Sequence, residues 1–594
     1  MRLASSKVRA GLVANALFLA SNPAVTQVAA PMGGTARGDV AAWLDQHLTR
    51  AERFGFAGAV VVERGGEVIL NKAYGLADRE GGKRVTAETV FDIGSITKPF
   101  TASAILKLAD QGKLRAGDSI TRFLDNVPAD KKAITIHHLL THTSGLQNGF
   151  GGDYELISRD SLVGVVLASK LQSVPGANYE YSNVGYSLLG AIIEKASGLP
   201  YEKYLREHVL LPAGATSTGY RSVDWADKPF AVGYRGSGRL GTPLEQLWAD
   251  DGPSWHLRAN GGLLSTAGDL YRWLAAFHGH QIVSPAMYEK ATKPPDGSEY
   301  GYGWGVGKLA NGKRFIGHNG SNGYFYARAV HVPDDTLTIV FLTNDQANRI
   351  MENDLLAIAT DRQVQQIPDV VRAEVSLARY AGRYRTGAGV EFDLRATAEG
   401  LEMSRAPAAV VAPLILTVAA TPQKPGGLDS VITRTVAEMA VGNYTSYRAR
   451  FWPFRDYRID GETEFWTEVF TDWRDSYGEY RSTEILGSTE SGTGDAAQLT
   501  TYVAVKYANG ERVMRILQPL PPTGKFFAAT VSSAQWPTRF VMVPRSAVEF
   551  VTYNLELRKS AALTFELDTA GSVIATTLPG GMRAEKIGGP ERRK

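Results

Sequence analysis

The order of hydrophobic and polar positions predicts two β-hairpins far apart in the chain. Residues 56–74 form two apolar runs rich in valine, joined by a glycine turn at residues 64–66. Residues 327–331 and 337–343 are also apolar and flank a Pro-Asp-Asp turn at residues 333–335. Short apolar runs bounded by turn residues are typical of strands.

Helical periodicity dominates between these hairpins. Apolar side chains three and four positions apart indicate a helix over residues 95–111, with Ser95 at its N-terminus. They are Phe100, Ala104, Ile105 and Leu108. A second helix is predicted over residues 184–196. Strands at both ends with helices between them predict an α+β domain whose sheet is built from the two ends.

The pattern changes after a polar stretch at residues 361–369. Beyond it the chain has short alternating runs rich in Tyr, Phe, Trp, Thr and Val, which are typical of β-barrels and sandwiches. We predict a first domain over residues 31–365 and an all-β region over residues 366–594, with either two barrels or one barrel that carries a large insertion.

Five aromatic side chains stand out in this second region. We expect them to fill a barrel core, and the alternative is a sugar-stacking or substrate-gating face. They are Trp452, Phe454, Trp466, Phe470 and Trp473.

Residues 1–30 have the pattern of a secretory signal peptide. A basic start that includes Arg2 and Lys7 precedes an apolar run at residues 10–20, and small residues follow. The apolar run is too short to span a bilayer, and no later stretch has the pattern of a membrane span. We therefore expect an exported protein, periplasmic or secreted, and Pro31 leaves the cleavage site open.

The composition excludes several classes of function. The 594 residues carry a net charge of only +3, with 44% hydrophobic and 21% charged residues, as in soluble globular proteins. Nucleic-acid binding requires clustered positive charge that neutralises phosphates, so we predict no nucleic-acid partner. The chain has no cysteine, which rules out disulfides, thiol nucleophiles and Cys-ligated metals.

Ser95 and Lys98 have the spacing of an activated serine. A hydroxyl is a weak nucleophile until a base removes its proton, and a lysine three residues further along a helix lies on the same face. Burial would lower the pKa of that lysine, and the helix N-terminus favours a developing oxyanion. The same spacing also occurs at ordinary helix starts with a capping serine and a solvated lysine, so other elements must accompany it.

Two further segments carry groups that a serine hydrolase uses. Tyr181 can shuttle a proton, and the amide of Asn183 can hold both the lysine and a substrate carbonyl. His318 precedes Gly320 and Ser321 in a predicted edge strand, whose backbone N–H would bind an oxyanion together with the N–H of the nucleophile. Gly320 lets substrate approach the backbone closely. Taken alone, His318 is better explained as a surface or structural histidine.

In this order the three motifs resemble the serine β-lactamase and penicillin-binding-protein superfamily, whose signature is Ser-x-x-Lys, a Ser-Asp-Asn-like element and Lys-Thr-Gly. The Tyr-x-Asn form of the second element resembles the class C branch, of the peptidase S12 type. Supporting stretches are residues 134–146, 181–205, 261–274 and 300–306. The resemblance covers residues 40–350 and implies an antiparallel sheet flanked by helices. It also implies Ser95 as nucleophile, with Lys98 and Tyr181 relaying the proton and no cofactor.

One departure from that branch changes the expected substrate. His318-Asn319-Gly320 stands where a class C β-lactamase has Lys-Thr-Gly, and the missing lysine is the cation expected near an antibiotic's carboxylate. His-x-Gly resembles D-aminopeptidases and β-lactamase-like carboxylesterases, so we expect hydrolysis of an ester or a small peptide or amide that contains D-amino acids. The alternatives are β-lactamase or D,D-carboxypeptidase activity and, from another class, a catalytically idle protein that binds cell-wall peptides or a partner. The oligomeric state is left open.

Three histidines raise a metal-site alternative. His138 and His142 are four residues apart, with His137 beside them. No carboxylate lies at the spacing of zinc proteases, and the stretch resembles a structural part of the superfamily, so we predict no metal site.

Two C-terminal segments carry a second resemblance. Residues 377–384 and 563–587 resemble the opening and closing strands of the lipocalin-like barrel that is often appended to this superfamily. The resemblance implies a C-terminal barrel, with a long segment between its two halves.

Overall fold

The computed structural model describes residues 34–246, 248, 250–404, 406–416, 428–452, 459–491, 497–520, 523–530, 539–555 and 557–589. The predicted signal peptide at residues 1–30 and Phe454 lie outside the described residues. Among the helices of the described ranges, none combines the length and the apolar character needed to cross a membrane.

The first part of the chain is a mixture of helices and short strands. Its strands are β1 (Thr35–Ala36), β2 (Gly58–Arg64), β3 (Glu67–Tyr74), β4 (Leu76–Asp78), β5 (Lys83–Arg84), β6 (Phe91–Asp92), β7 (Gly233–Arg235), β8 (Gly238–Gly241), β9 (Leu264–Ser265), β10 (Gly305–Lys308), β11 (Arg314–Ser321), β12 (Tyr326–Val332) and β13 (Leu337–Thr343). Its helices are α1 (Gly38–Glu52), α2 (Thr97–Asp110), α3 (Ile136–Leu140), α4 (Arg159–Ala168), α5 (Asn183–Ser197), α6 (Tyr201–Leu205), α7 (Ala267–His278), α8 (Pro285–Thr292) and α9 (Met351–Ala359).

The central sheet joins both ends of this part, as the α+β prediction requires. Its strand order is β1-β3-β2-β13-β12-β11-β10, and neighbouring strands are antiparallel. Strands β2 and β3 form the first predicted hairpin, and β12 and β13 form the second. Strand β13 pairs with β2, with Thr343 opposite Gly58. The two hairpins therefore meet at the centre of one sheet.

Alternate residues of the central strands face two hydrophobic cores. Val60 packs with helices α1 and α9, whereas Val61 faces the side that carries α2, α5 and α7. Trp273 of α7 stacks on Phe100 of α2 with ring centroids 3.7 Å apart. Because α2 is buried on nearly all sides, its first turn has a fixed position relative to the sheet.

The C-terminal part begins and ends with barrel strands. Its elements are β14 (Gly382–Thr386), β15 (Glu391–Ala396), β16 (Leu401–Ser404), α10 (Ala408–Ile415), α11 (Leu428–Ala440), α12 (Thr445–Arg450), α13 (Ile459–Tyr477), β17 (Tyr480–Ser491), β18 (Gln498–Tyr507), β19 (Gly510–Pro519), β20 (Phe527–Thr530), β21 (Arg539–Pro544), β22 (Glu549–Asn554), β23 (Lys559–Leu567), β24 (Val573–Leu578) and β25 (Met582–Gly588). Strands β14–β16 and β21–β25 close into a barrel, which confirms the predicted barrel.

The chain between β16 and β21 differs from the all-β prediction. It contains helices α10–α13 and a separate antiparallel sheet, β17-β18-β19-β20. Trp466, Phe470 and Trp473 lie on α13 and pack against this sheet, so the prediction that they fill a barrel core is wrong. Their spacing of four and three residues is helical, but aromatic residues are also enriched in strands. Trp452 donates its backbone N–H to Phe526 O, beside the same sheet.

The barrel packs on the face of the central sheet that carries α1 and α9. Tyr553 of β22 contacts Phe54 with ring centroids 5.8 Å apart. Asp354 of α9 accepts hydrogen bonds from Arg558 at 2.6 Å and from His47 Nε2 at 2.9 Å. Helix α2 lies against the opposite face of the sheet, so the barrel supports the sheet from behind the predicted nucleophile.

Candidate active site

Ser95 lies in a tight turn between strand β6 and helix α2. Gly94 has a φ of +50°, and its N–H donates to Asp92 Oδ1 at 2.7 Å. Thr97 Oγ1 donates to Gly94 O at 2.8 Å. Burial raises the pKa of Asp92 to about 6. These bonds fix the peptide that precedes Ser95, whose side chain remains partly exposed to solvent.

Lys98 is fully buried one turn further along and directs its amine at the serine. Its Nζ lies 3.0 Å from Ser95 Oγ, 2.7 Å from Asn183 Oδ1 and 2.8 Å from Asn260 O. Burial lowers the pKa of Lys98 well below the ordinary lysine value, against the opposing charge of Asp153. A neutral amine donates its two N–H groups to the two carbonyl-type oxygens, and its lone pair can then accept the hydroxyl proton. This is the arrangement of a general base.

Tyr181 and Asn183 reach the same serine and lysine from the start of α5. Lys98 Nζ lies 4.7 Å from the Tyr181 ring centroid, and Ser95 lies close enough to the phenol to lower its pKa against the effect of burial. Burial raises the pKa of Tyr181 above that of an ordinary phenol, so the phenol keeps its proton. Ser182 caps α5, which holds Asn183 in the first helical turn.

Strand β11 lies inside the sheet, and its second half is open on one side. Strand β10 pairs with residues 314–317, whereas residues 318–321 extend past it and pair with β12 on their other side. The predicted edge strand is therefore an edge only over its second half, within the described strands. His318, Gly320 and Ser321 all lie in this half.

Two glycines let β11 approach the nucleophile turn. A Cβ atom added to Gly320 would collide with Ile93 O and lie 2.9 Å from Ser95 N, and one added to Gly94 would lie 2.5 Å from Ser321 N. Contacts this short do not occur between a real Cβ and backbone atoms, so both positions require glycine. The backbone nitrogens of Ser95 and Ser321 are consequently neighbours, as an oxyanion hole requires.

His318 is buried and uncharged. Its Nδ1 lies 2.6 Å from Asn319 O, and its Nε2 lies 2.9 Å from the Tyr300 hydroxyl. Burial lowers the pKa of His318 to about 3. A carbonyl oxygen only accepts, so Nδ1 carries the proton and Nε2 accepts from the phenol. His318 therefore offers no positive charge to a substrate.

The three histidines of the metal-site alternative each bond within the protein. His137 Nδ1 lies 2.8 Å from the Tyr302 hydroxyl. His138 Nδ1 accepts a backbone N–H in the capping box of α3, and His142 Nδ1 accepts the backbone N–H of Ser182 at 3.0 Å. In the described part of the chain, no three His, Asp or Glu side chains gather as a metal site would require.

A loop that no motif marked adds a carboxylate to the site. Asn148 O and Oδ1 accept the backbone N–H of Asn183 at 3.0 and 3.3 Å. At the other end of the loop, the Tyr154 hydroxyl lies 2.9 Å from the Tyr324 hydroxyl. Asp153 lies between these two hydrogen-bonded residues, and its side chain is exposed. Its negative charge raises the pKa of the active-site lysine. Its place depends on two long-range contacts that leave no signal in the sequence.

The family model described as Beta-lactamase matches residues 40–361, which is more than half of the chain. The chain belongs to the beta-lactamase family. Within that family region the structure brings together Ser95, Lys98, Tyr181 and Asn183, with the backbone of β11 beside them. The ring of His318 instead bonds to its own strand and to Tyr300.

Relatives of this beta-lactamase family chain include two Bacillus subtilis proteins. One is PbpX, named as a penicillin-binding protein, with 33% identity over 261 residues, or 43% of this chain and 63% of the relative. The other, also named as a penicillin-binding protein, has 27% identity over 336 residues, or 52% of this chain and 73% of the relative. The chain thus spans less than two thirds of the length of the first of these relatives.

One solved structure aligns with most of the chain. It is the octameric penicillin-binding protein homologue from Pyrococcus abyssi, with 20% identity and a TM-score of 0.49. The similarity covers 92% of this chain and 99% of that one.

Proposed function

We propose that this protein is a serine hydrolase that forms an acyl-enzyme on Ser95 and hydrolyses an ester or a small peptide or amide. The observation that supports this most directly is the 3.0 Å separation between Lys98 Nζ and Ser95 Oγ. Two oxygen acceptors hold the buried amine in place, which leaves its lone pair for the serine proton. An ordinary capping serine with a solvated lysine does not have this geometry.

The reaction follows from the positions of these groups. Lys98 removes the hydroxyl proton while Ser95 Oγ attacks the carbonyl carbon, and the N–H groups of Ser95 and Ser321 stabilise the oxyanion. The proton passes through Tyr181 to the leaving alcohol or amine, whose bond to the carbonyl carbon breaks. A water molecule then attacks the acyl-enzyme and gives its proton to Lys98, which returns it to Ser95 Oγ as the acyl bond breaks, so that the acid is released and Ser95 is restored.

The charges around the site favour a neutral or amine-bearing substrate over one with a carboxylate. His318 is uncharged at neutral pH, because burial lowers its pKa to about 3. The exposed carboxylate of Asp153 stands near the lysine and would attract the ammonium group of an aminoacyl substrate. We therefore propose a substrate whose acyl group carries a free amine, and we take its D configuration from the resemblance of the His-x-Gly motif to D-aminopeptidases.

A comparison of substrates tests this proposal. We expect D-alanyl anilide and a short-chain nitrophenyl ester to be hydrolysed faster than nitrocefin. D153N should lower kcat/KM for D-alanyl anilide by about two- to fivefold, the value of one solvent-screened ion pair, and leave N-acetyl-D-alanyl anilide unchanged. D334N, at an exposed position in the turn between β12 and β13, is the matched control. Preferred hydrolysis of nitrocefin would instead favour β-lactamase activity.

A burst experiment separates the enzyme from the catalytically idle binding protein. The wild type should release nitrophenol, because acylation expels the leaving group, and the first phase reaches one nitrophenol per protein molecule when deacylation is slower than acylation. A wild type that releases no nitrophenol from any ester would favour the binding protein.

A further inference from the structure

The backbone on both sides of Tyr181 is attached to a single residue, His142. The N–H of Glu180 donates to His142 O at 2.7 Å, and the N–H of Ser182 donates to His142 Nδ1 at 3.0 Å. The His142 ring also contacts the Tyr181 ring, with centroids 4.3 Å apart. His142 therefore fixes the backbone on both sides of Tyr181 and also packs against the Tyr181 ring.

The surroundings of His142 fix its form. It is fully buried, and its ring contacts Tyr300 and Tyr186 at centroid distances of 4.7 and 5.0 Å. Because Nδ1 accepts a hydrogen bond, the proton of the neutral ring is on Nε2. Burial lowers the pKa of His142 well below the ordinary histidine value, so the acceptor persists at neutral pH.

His142 also has an unusual backbone conformation. Its φ is +57°, a left-handed conformation that is uncommon outside glycine and that asparagine, aspartate and histidine adopt more often than other residues. This conformation turns the chain so that the carbonyl and the ring of His142 both reach the segment that contains Tyr181. Strain of this kind persists only where surrounding contacts hold it.

We infer that His142 is a positioning residue that sets the place of the Tyr181 phenol for proton transfer to the leaving group. The inference rests on the proposed function, because it assigns His142 a part in that reaction. His142 does not touch the reacting atoms; it acts through the backbone bonds and ring contact that hold Tyr181 against Ser95.

Substitution by asparagine isolates the role of the acceptor. Asparagine tolerates a positive φ, and its Oδ1 can replace His142 Nδ1 as acceptor for the N–H of Ser182. Within the described residues, Nε2 of His142 has no hydrogen-bond partner, so the acceptor is the only hydrogen-bonding function that the variant must restore. H142A removes the acceptor and the ring together.

The test compares two leaving groups in the wild type, H142N and H142A. An anilide requires protonation as its amine leaves, whereas nitrophenolate leaves without a proton. We expect H142A to lower kcat for D-alanyl anilide by about tenfold or more, as loss of one buried hydrogen bond predicts, and to lower kcat for the nitrophenyl ester much less. H142N should restore most of the anilide activity, and KM should change little in either variant.

A control variant separates positioning from general destabilisation. His138 belongs to the same stretch and caps α3, so H138A should lower Tm and leave the ratio of anilide to ester kcat unchanged. Should H142A fail to fold, H142Q replaces it, because glutamine keeps an amide but moves the acceptor one bond further from Ser182. A lower anilide kcat in H142Q than in H142N then supports the inference, and equal values overturn it.

The possible failures are distinguishable. If a fluorophosphonate does not label wild-type Ser95, the proposed function itself is wrong. If the wild type is labelled but folded H142A keeps the wild-type ratio of anilide to ester kcat, only the role of His142 is overturned.

Discussion

The protonation state of Lys98 determines whether the site can deprotonate Ser95. Its buried amine is surrounded by Ser95, Asn183 and Asn260. The charged form would have to donate to all three, whereas the neutral form can accept from the serine. Burial favours the neutral form, so the same packing that places the lysine also prepares it as a base.

The pH dependence of activity follows from this state. As pH falls Lys98 takes up a proton, so kcat/KM for a neutral nitrophenyl ester should fall, with a midpoint well below the ordinary value of 10.5. Asp92, with a pKa of about 6, adds a second acidic limb. A pH–rate profile measures both limbs. K98R, whose guanidinium stays charged, should be inactive throughout, and a wild-type midpoint at 10.5 or above would contradict the role of Lys98.

His318 should determine whether carboxylate substrates are accepted. H318K places a cation on the strand beside the oxyanion site, so we expect the rate constant for acylation by benzylpenicillin to rise by about tenfold or more. H318Q is neutral and serves as the control. Equal acylation rates in H318K and H318Q would show that charge at this position does not select the substrate.

The sequence predicted the reacting residues better than the residues that position them. Ser95 and Lys98 are three residues apart at the start of α2, so their spacing alone predicted their contact. The function of His142 depends on two bonds to a segment about forty residues later, at Glu180 and Ser182, and a single sequence contains no periodicity that reports such contacts.

At the scale of elements, the site depends on the close contact between β11 and the turn before α2. G320A should disrupt it, because the added Cβ would collide with Ile93 O and crowd Ser95 N. We expect the acylation rate to fall by about a hundredfold, as for loss of an oxyanion donor. The rate of covalent labelling by a fluorophosphonate measures this.

Another glycine provides the control for this prediction. Gly164 lies within α4, and a Cβ added there meets nothing within 4 Å. G164A should therefore label at the wild-type rate and gain about 1 kcal/mol in stability, because alanine is the better helix former. A G320A variant that labels as fast as G164A would contradict the assigned contact.

The elements themselves were predicted unequally. The two hairpins of the central sheet and helices α2 and α5 follow from apolar periodicity and turn residues. Helix α13 was missed, although Trp466, Phe470 and Trp473 have helical spacing, because aromatic residues are also typical of strands. In the fold these side chains pack as one face of a helix against the neighbouring sheet. The contact of Gly320 in β11 with the turn before α2 is a contact between two backbone segments. The pattern of side chains along the sequence does not predict such a contact.

At the scale of the whole molecule, the barrel is joined to the first part through a partly buried cluster of charged side chains. Asp354 accepts from both Arg558 and His47. R558A should leave Asp354 with one partner and lower the free energy of unfolding by about 1–3 kcal/mol. Because this contact lies on the face of the sheet opposite α2, kcat should be unchanged at temperatures below unfolding.

Thermal unfolding together with kcat measures this prediction. R583A is the matched control, because Arg583 pairs with Glu566 on the barrel surface and both side chains are substantially exposed. Surface pairs contribute little, so R583A should melt close to the wild type. If R558A also melts with the wild type, the charge cluster does not hold the barrel to the rest of the molecule.

The most direct measurement is the mass of the protein after reaction with a fluorophosphonate or a slowly hydrolysed ester, followed by peptide mapping. The geometry predicts a single adduct on the peptide that contains Ser95, absent from S95A and strongly reduced in K98R. An adduct that persists in S95A, or that maps to another residue, would contradict the assignment of Ser95 as the nucleophile.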